Sequence, residues 1–128
     1  MMGKKKIARD IALKVLAAVE AVKDALADLM ETTFIIYQPK DWTGAVGDTV
    51  TFTVKAMNVS AYRWQYSTDG SSWSNSSSSV TGYNTDTVSF LMEEALAGSY
   101  RRCRLTLPGG GYLYTDAVQT LLAENEGG

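Results

Sequence analysis

The sequence predicts a mainly β protein, an antiparallel β-sandwich preceded by one long amphipathic N-terminal α-helix. Three observations lead there. Residues 5–31 contain no Gly or Pro and space their apolar side chains three and four apart. At Thr32 the composition switches from Ala and Lys to Thr, Ser, Tyr, Val and Gly, and the apolar period drops to two. About seven short alternating runs separated by turn residues then follow, the pattern of two packed antiparallel sheets.

The helix comes first. Ala, Leu, Lys and Glu, all good helix formers, dominate residues 5–31. Ala8, Ile11, Val15, Ala18, Val22, Ala25 and Leu29 alternate as heptad a and d positions, and Ala12, Val19 and Leu26 widen the stripe. An apolar face this wide on a helix of roughly 40 Å, at a rise of 1.5 Å per residue, requires a partner. Two partners fit, the chain's own sandwich or another helix. The small Ala residues favour close helix approach. Lys4, Lys5, Lys6 and Arg9 crowd the first turns while Asp24, Asp28 and Glu31 crowd the last. Both placements oppose the helix dipole, and an antiparallel neighbour would match basic end to acidic end. The face is therefore expected to act through Ala8, Ile11, Val15, Ala18, Val19, Val22, Leu26 and Leu29, forming a homo-oligomer or joining a larger particle.

Each strand has its own signal. Residues 34–37 begin the first, Pro39 interrupts it, and 42–46 continue it on the other sheet. Gly47-Asp48 turns the chain into 49–57, where Val50, Phe52 and Val54 face one way and Thr49, Thr51, Thr53 and Lys55 the other. Residues 61–67 form a strand centred on Trp64. Strands at 85–92, 100–107 and 112–122 complete the set, the last entered through Pro108-Gly109-Gly110-Gly111. This divides the chain into an assembly helix (1–33), a sandwich (34–123) and a flexible tail (124–128).

Several motifs carry a resemblance: Gln38-Pro39-Lys40-Asp41, Gly47-Asp48-Thr49-Val50-Thr51-Phe52, Tyr62-Arg63-Trp64-Gln65-Tyr66-Ser67, and Asp69-Gly70 with Trp73. Residues 34–122 resemble an immunoglobulin-like domain of the kind found in tailed-phage virion proteins and surface proteins of gut Firmicutes. The resemblance implies adhesion, decoration or spacing, without enzymatic activity. Phe52 stands where vertebrate-type members carry the first cysteine of the inter-sheet bridge. Cys103 is accordingly expected as a free, buried thiol beside Trp64, in a core with Phe52. Tyr100 precedes Cys103 by three residues, one more than the tyrosine corner of that family.

Composition removes most chemistry. The 128 residues include no His, which excludes the commonest general base and zinc ligand, and one cysteine, which excludes an internal disulfide and a CxxC site. No cofactor or metal is expected: Asp69, Asn84 and Asp86 lack calcium-loop spacing. Glu93 and Glu94 are adjacent and point apart, unlike a glycosidase pair. A formal charge of −2 argues against a nucleic-acid partner. Arg9, Asp10, Lys14, Glu20, Lys23 and Asp24 break the apolar run, ruling out a signal h-region and a membrane span.

The expectation that follows is a non-enzymatic structural or display module, a phage virion protein made in the host cytoplasm, anchored by its helix. Outside a virion, the cytoplasm is the expected location. The alternative is a carbohydrate-binding or adhesion module, in which a Ser-rich loop with Trp73, Asn75 and Tyr83 takes a surface glycan; small polar groups beside rigid aromatics mark binding loops. Tyr112 and Tyr114 share one face of the last strand and could extend that patch. Asp69-Gly70 reads as a tight turn, and Asn58-Val59-Ser60 and Asn75-Ser76-Ser77 as polar turns.

Overall fold

The computed structural model describes residues 2–124; of the predicted tail at 124–128, all but Glu124 lies outside them. The chain forms two compact units, Met1–Thr32 and Thr33–Gly128.

The first unit is helix α1 (Met2–Glu31). It begins earlier than the sequence pattern predicts and takes in Gly3, whose cost of about 1 kcal/mol in a helix interior falls near the end. Its first turn holds no acid and its last no base, so no side chain complements the dipole at either end. At the C-terminus, both the backbone N–H and the hydroxyl of Thr32 donate to the Asp28 carbonyl, at 3.0 and 2.7 Å. These bonds satisfy a carbonyl that the ending helix would otherwise leave open.

The second unit is a β-sandwich. In one layer β1 (Phe34–Tyr37) pairs antiparallel with β4 (Lys55–Met57), and β3 (Thr49–Thr53) pairs antiparallel with β7 (Thr87–Leu91). The predicted run 49–57 is thus two segments that serve different partners. The break falls at Val54, whose N–H donates instead to the Asp86 carbonyl (2.9 Å). The other layer has the order β2 (Trp42–Gly44), β10 (Val118–Leu122), β8 (Tyr100–Thr106), β5 (Ala61–Ser67), β6 (Ser74–Asn75), with β9 (Tyr112–Tyr114) also on β8. The predicted last strand is therefore β9 and β10, separated at Thr115, whose hydroxyl accepts from the Cys103 N–H (2.8 Å). Strand β2 runs parallel to β10, with Thr120 opposite Trp42. Strand β6 is an element the sequence pattern does not signal, because Ser and Asn carry no apolar alternation.

The core is what the alternation demanded. Val50, Phe52, Val54 and Val88 come from the first layer, and Trp64, Cys103, Leu105 and Val118 from the second. Each full apolar burial stabilises by about 1.5–3 kcal/mol. The Trp64 indole N–H donates to the Thr85 carbonyl (2.8 Å), so the largest core side chain buries its polar atom already satisfied.

Candidate functional site

The strand period that sends Trp64, Cys103 and Leu105 inward sends Arg63, Gln65, Arg102 and Arg104 outward, onto the open face of the second layer. Register then decides their neighbours. Gln65 stands opposite Arg102, and Arg63 directly opposite Arg104. Strand β9 adds Tyr114 opposite Arg104 and Tyr112 opposite Thr106.

These side chains form one ladder. The Arg102 guanidinium lies 4.3 Å from the Trp73 ring centroid and 4.2 Å from that of Tyr114. Arg104 lies 4.3 Å from the Tyr112 centroid, and Arg63 5.1 Å from that of Tyr83. Beneath them the buried Gln65 links the strands: Arg102 Nε donates to its Oε1 (2.8 Å), and its Nε2 donates to Asn75 Oδ1 (2.9 Å). Of the predicted binding loop, Trp73 and Tyr83 are thus joined to one sheet face through Arg102 and Arg63, and Asn75 through Gln65. Sequence reasoning missed the arginines. Their signal was present in the two-residue spacing of Arg102 and Arg104, matched by Tyr112 and Tyr114.

The arginines of this face have no ion-pair partner among the described residues, where the one ion pair joins Lys23 and Glu20 on the helix. The Nε atoms of Arg63 and Arg104 are buried with no hydrogen-bond acceptor. Like charges directly opposite across a sheet are destabilising.

A second feature lies at the loop end of β5 and β8. Arg101, 5% exposed, packs its guanidinium 4.1 Å from the Phe90 centroid and donates to Ser76 Oγ at 3.4 Å. Burial pushes its pKa down to about 10. It borders a cavity of about 420 Å³ with Tyr66, Ser76, Val80, Phe90 and Glu93. Asn75 also lines this cavity, whereas Trp73 and Tyr83 do not.

The turn leading to Trp73 is self-contained. Asp69 Oδ1 accepts from the Ser72 and Ser71 N–H groups (2.9 and 2.8 Å) and from the Ser67 hydroxyl (2.9 Å). Gly70 supplies the left-handed angle (φ 79°) and lies against the Tyr100 ring. Phe52, Trp64 and Cys103, predicted as core, lie at 1%, 0% and 0% exposure.

On the helix, Ala8, Ile11, Val15, Ala18, Val19, Val22, Leu26 and Leu29 are all exposed, Ile11 at 57% and Val22 at 58%. Val15, Ala18, Val19 and Val22, with Lys23, line a shallow, open apolar patch on the helix face. Among the described residues no helix is long and apolar enough to cross a membrane.

No known family and no curated protein matches the sequence. Solved structures do match the fold. The complex of titin M10 with obscurin-like 1 Ig is similar over 73% of this chain and 95% of that one, with a TM-score of 0.52 and 11% identity. The twitchin kinase region from C. elegans is similar over 73% of this chain and 16% of that one, with a TM-score of 0.53 and 13% identity. The chain is an immunoglobulin-like β-sandwich with one long N-terminal helix, and at these identities the likeness speaks for fold alone.

Proposed function

We propose that the protein is a non-enzymatic display module whose helix α1 joins it to a second copy as an antiparallel pair, with the sandwich as the presented domain. The observation that carries this reading is the helix face: Ile11, Val15, Val22 and Leu26 are each more than half exposed, at 52–58%. An apolar stripe of that width is stable when covered. The ends supply the orientation. Lys4, Lys5, Lys6 and Arg9 at one end complement Asp24, Asp28 and Glu31 at the other when the partner runs antiparallel. Placement in a virion rests on an assembly-prone helix joined to a sandwich without an internal disulfide, whose motifs at residues 38–41, 47–52 and 62–67 resemble domains of tailed-phage virion proteins and of gut Firmicutes surface proteins alike. Glycan binding through Trp73 has less support, since one ring face is taken by Arg102.

The test is light scattering on the intact chain beside Val15→Glu/Val22→Glu. A defined oligomer that the double variant dissociates, with unchanged near-ultraviolet circular dichroism, supports the reading. A monomeric intact chain refutes it.

A further inference from the structure

We infer that the outer face of β5, β8 and β9 is a docking surface for an acidic stretch of polypeptide, whose carboxylates take the guanidinium groups of Arg63, Arg102 and Arg104. Docking there does not depend on self-assembly through the helix.

Charge is the first reason. Arg63 and Arg104 are direct cross-strand neighbours with Arg102 beside them, and among the described residues none has a carboxylate partner. Solvent screens the repulsion between such half-exposed charges in part, and a bound anion would offset it directly. Desolvation is the second. The Nε atoms of Arg63 and Arg104 are buried without an acceptor, so one N–H of each guanidinium has lost water without a hydrogen bond in exchange. An incoming carboxylate would accept from the remaining N–H groups by charge-assisted bonds, stronger than neutral ones.

Preorganisation is the third. Stacking on Trp73, Tyr114, Tyr112 and Tyr83 restrains the three guanidinium planes before any partner arrives. Binding then loses less side-chain freedom than it would with solvated arginines. Tyr112 and Tyr114 are 53% and 42% exposed beside them. Arg, Tyr and Trp together are the residues enriched at the energetic centres of protein interfaces.

The same stacking selects the occupant. Each ring gives a face to a guanidinium, so the surface presents N–H donors in planar forks more than open rings. Carboxylates match such forks in pairs. Sugars and single-stranded bases instead need open aromatic faces.

The experiment titrates the full chain with poly-L-glutamate at low salt, following tryptophan fluorescence and calorimetry. Polygalacturonate and oligo-dT serve as parallel ligands. Binding should weaken at least tenfold in Arg63→Gln/Arg104→Gln, and measurably in Arg104→Lys, which keeps the charge and loses the fork. Lys5→Gln/Lys6→Gln removes as much charge from the helix and should leave the affinity within twofold. The double variant loses the contacts with Tyr83 and Tyr112 as well as the repulsion, so its near-ultraviolet circular dichroism and melt are recorded beside the parent's, and only weakened binding by a folded variant supports the inference. Absent binding, an equal loss in the lysine control, or tighter binding of either parallel ligand would overturn the inference. Light scattering reports helix assembly separately, so failure of one reading leaves the other standing.

Discussion

The Phe52 ring lies stacked against Trp64 between the two sheets, with centroids 6.4 Å apart and planes inclined by 26°. Cys103 stands opposite Trp64 in register on β8. An aromatic contact thus occupies the inter-sheet position that the resemblance assigns to a disulfide. Phe52 also contacts Phe90 of its own layer at 6.3 Å, so one side chain touches an aromatic ring in each layer. Phe52→Ala should cost about 3–5 kcal/mol, the usual range for truncating a buried Phe. Urea denaturation measures it, and a loss under about 1 kcal/mol would mean that the core does not hinge on this stack.

Cys103 is fully buried. Burial raises its pKa from the ordinary 9.0 to about 12, which leaves negligible thiolate at neutral pH. The native protein should resist a thiol-specific chromogenic reagent, and unfolding in urea should release one equivalent. Fast labelling of the native state would contradict the burial.

Asp69 gives an acid-side signature. Backbone N–H groups of Ser72 and Ser71 and the Ser67 hydroxyl pull its carboxyl from 3.8 to about 2. A folded value below the unfolded one means that the turn's contribution is complete above about pH 4, falls as pH drops through that window, and is gone below about 2. Asp69→Asn should flatten stability against pH between those limits and leave the slope above about pH 5 unchanged. An unaltered acid limb would refute the assignment.

Gly82 occupies a left-handed position (φ 75°), and a Cβ there would run into the Thr87 carbonyl oxygen. The turn is closed by Thr85, whose N–H and hydroxyl both donate to the Gly82 carbonyl at 3.0 Å. Gly82→Ala should destabilise by more than the ~1 kcal/mol typical of a point mutant, and shift the Tyr83 ring from Arg63. Thermal melting with near-ultraviolet circular dichroism checks both, and a melt like that of the parent would show that the turn relaxes freely.

The elements were legible where local chemistry decides them. Ala and Leu at heptad spacing mark α1, and Val50, Phe52 and Trp64 in alternation mark the buried faces. What stayed hidden depends on pairing between distant residues. Arg63 and Arg104 meet through the register of β5 on β8, and nothing near either residue specifies it. Strand β6 exists because Gln65 and Tyr66 offer it an edge, which Ser74 and Asn75 take up. The arginine ladder was therefore visible as two separate two-residue spacings, not as a surface.

Parallel pairing of β2 with β10 carries a mechanical consequence. Tension applied ahead of β2 and beyond β10 draws the two strands along their axes in opposite directions. Their hydrogen bonds, over Trp42–Gly44 and Thr120–Leu122, are then loaded together in shear, not opened one at a time. A domain pulled at both ends in this way should yield at higher force than one unzipped from a hairpin.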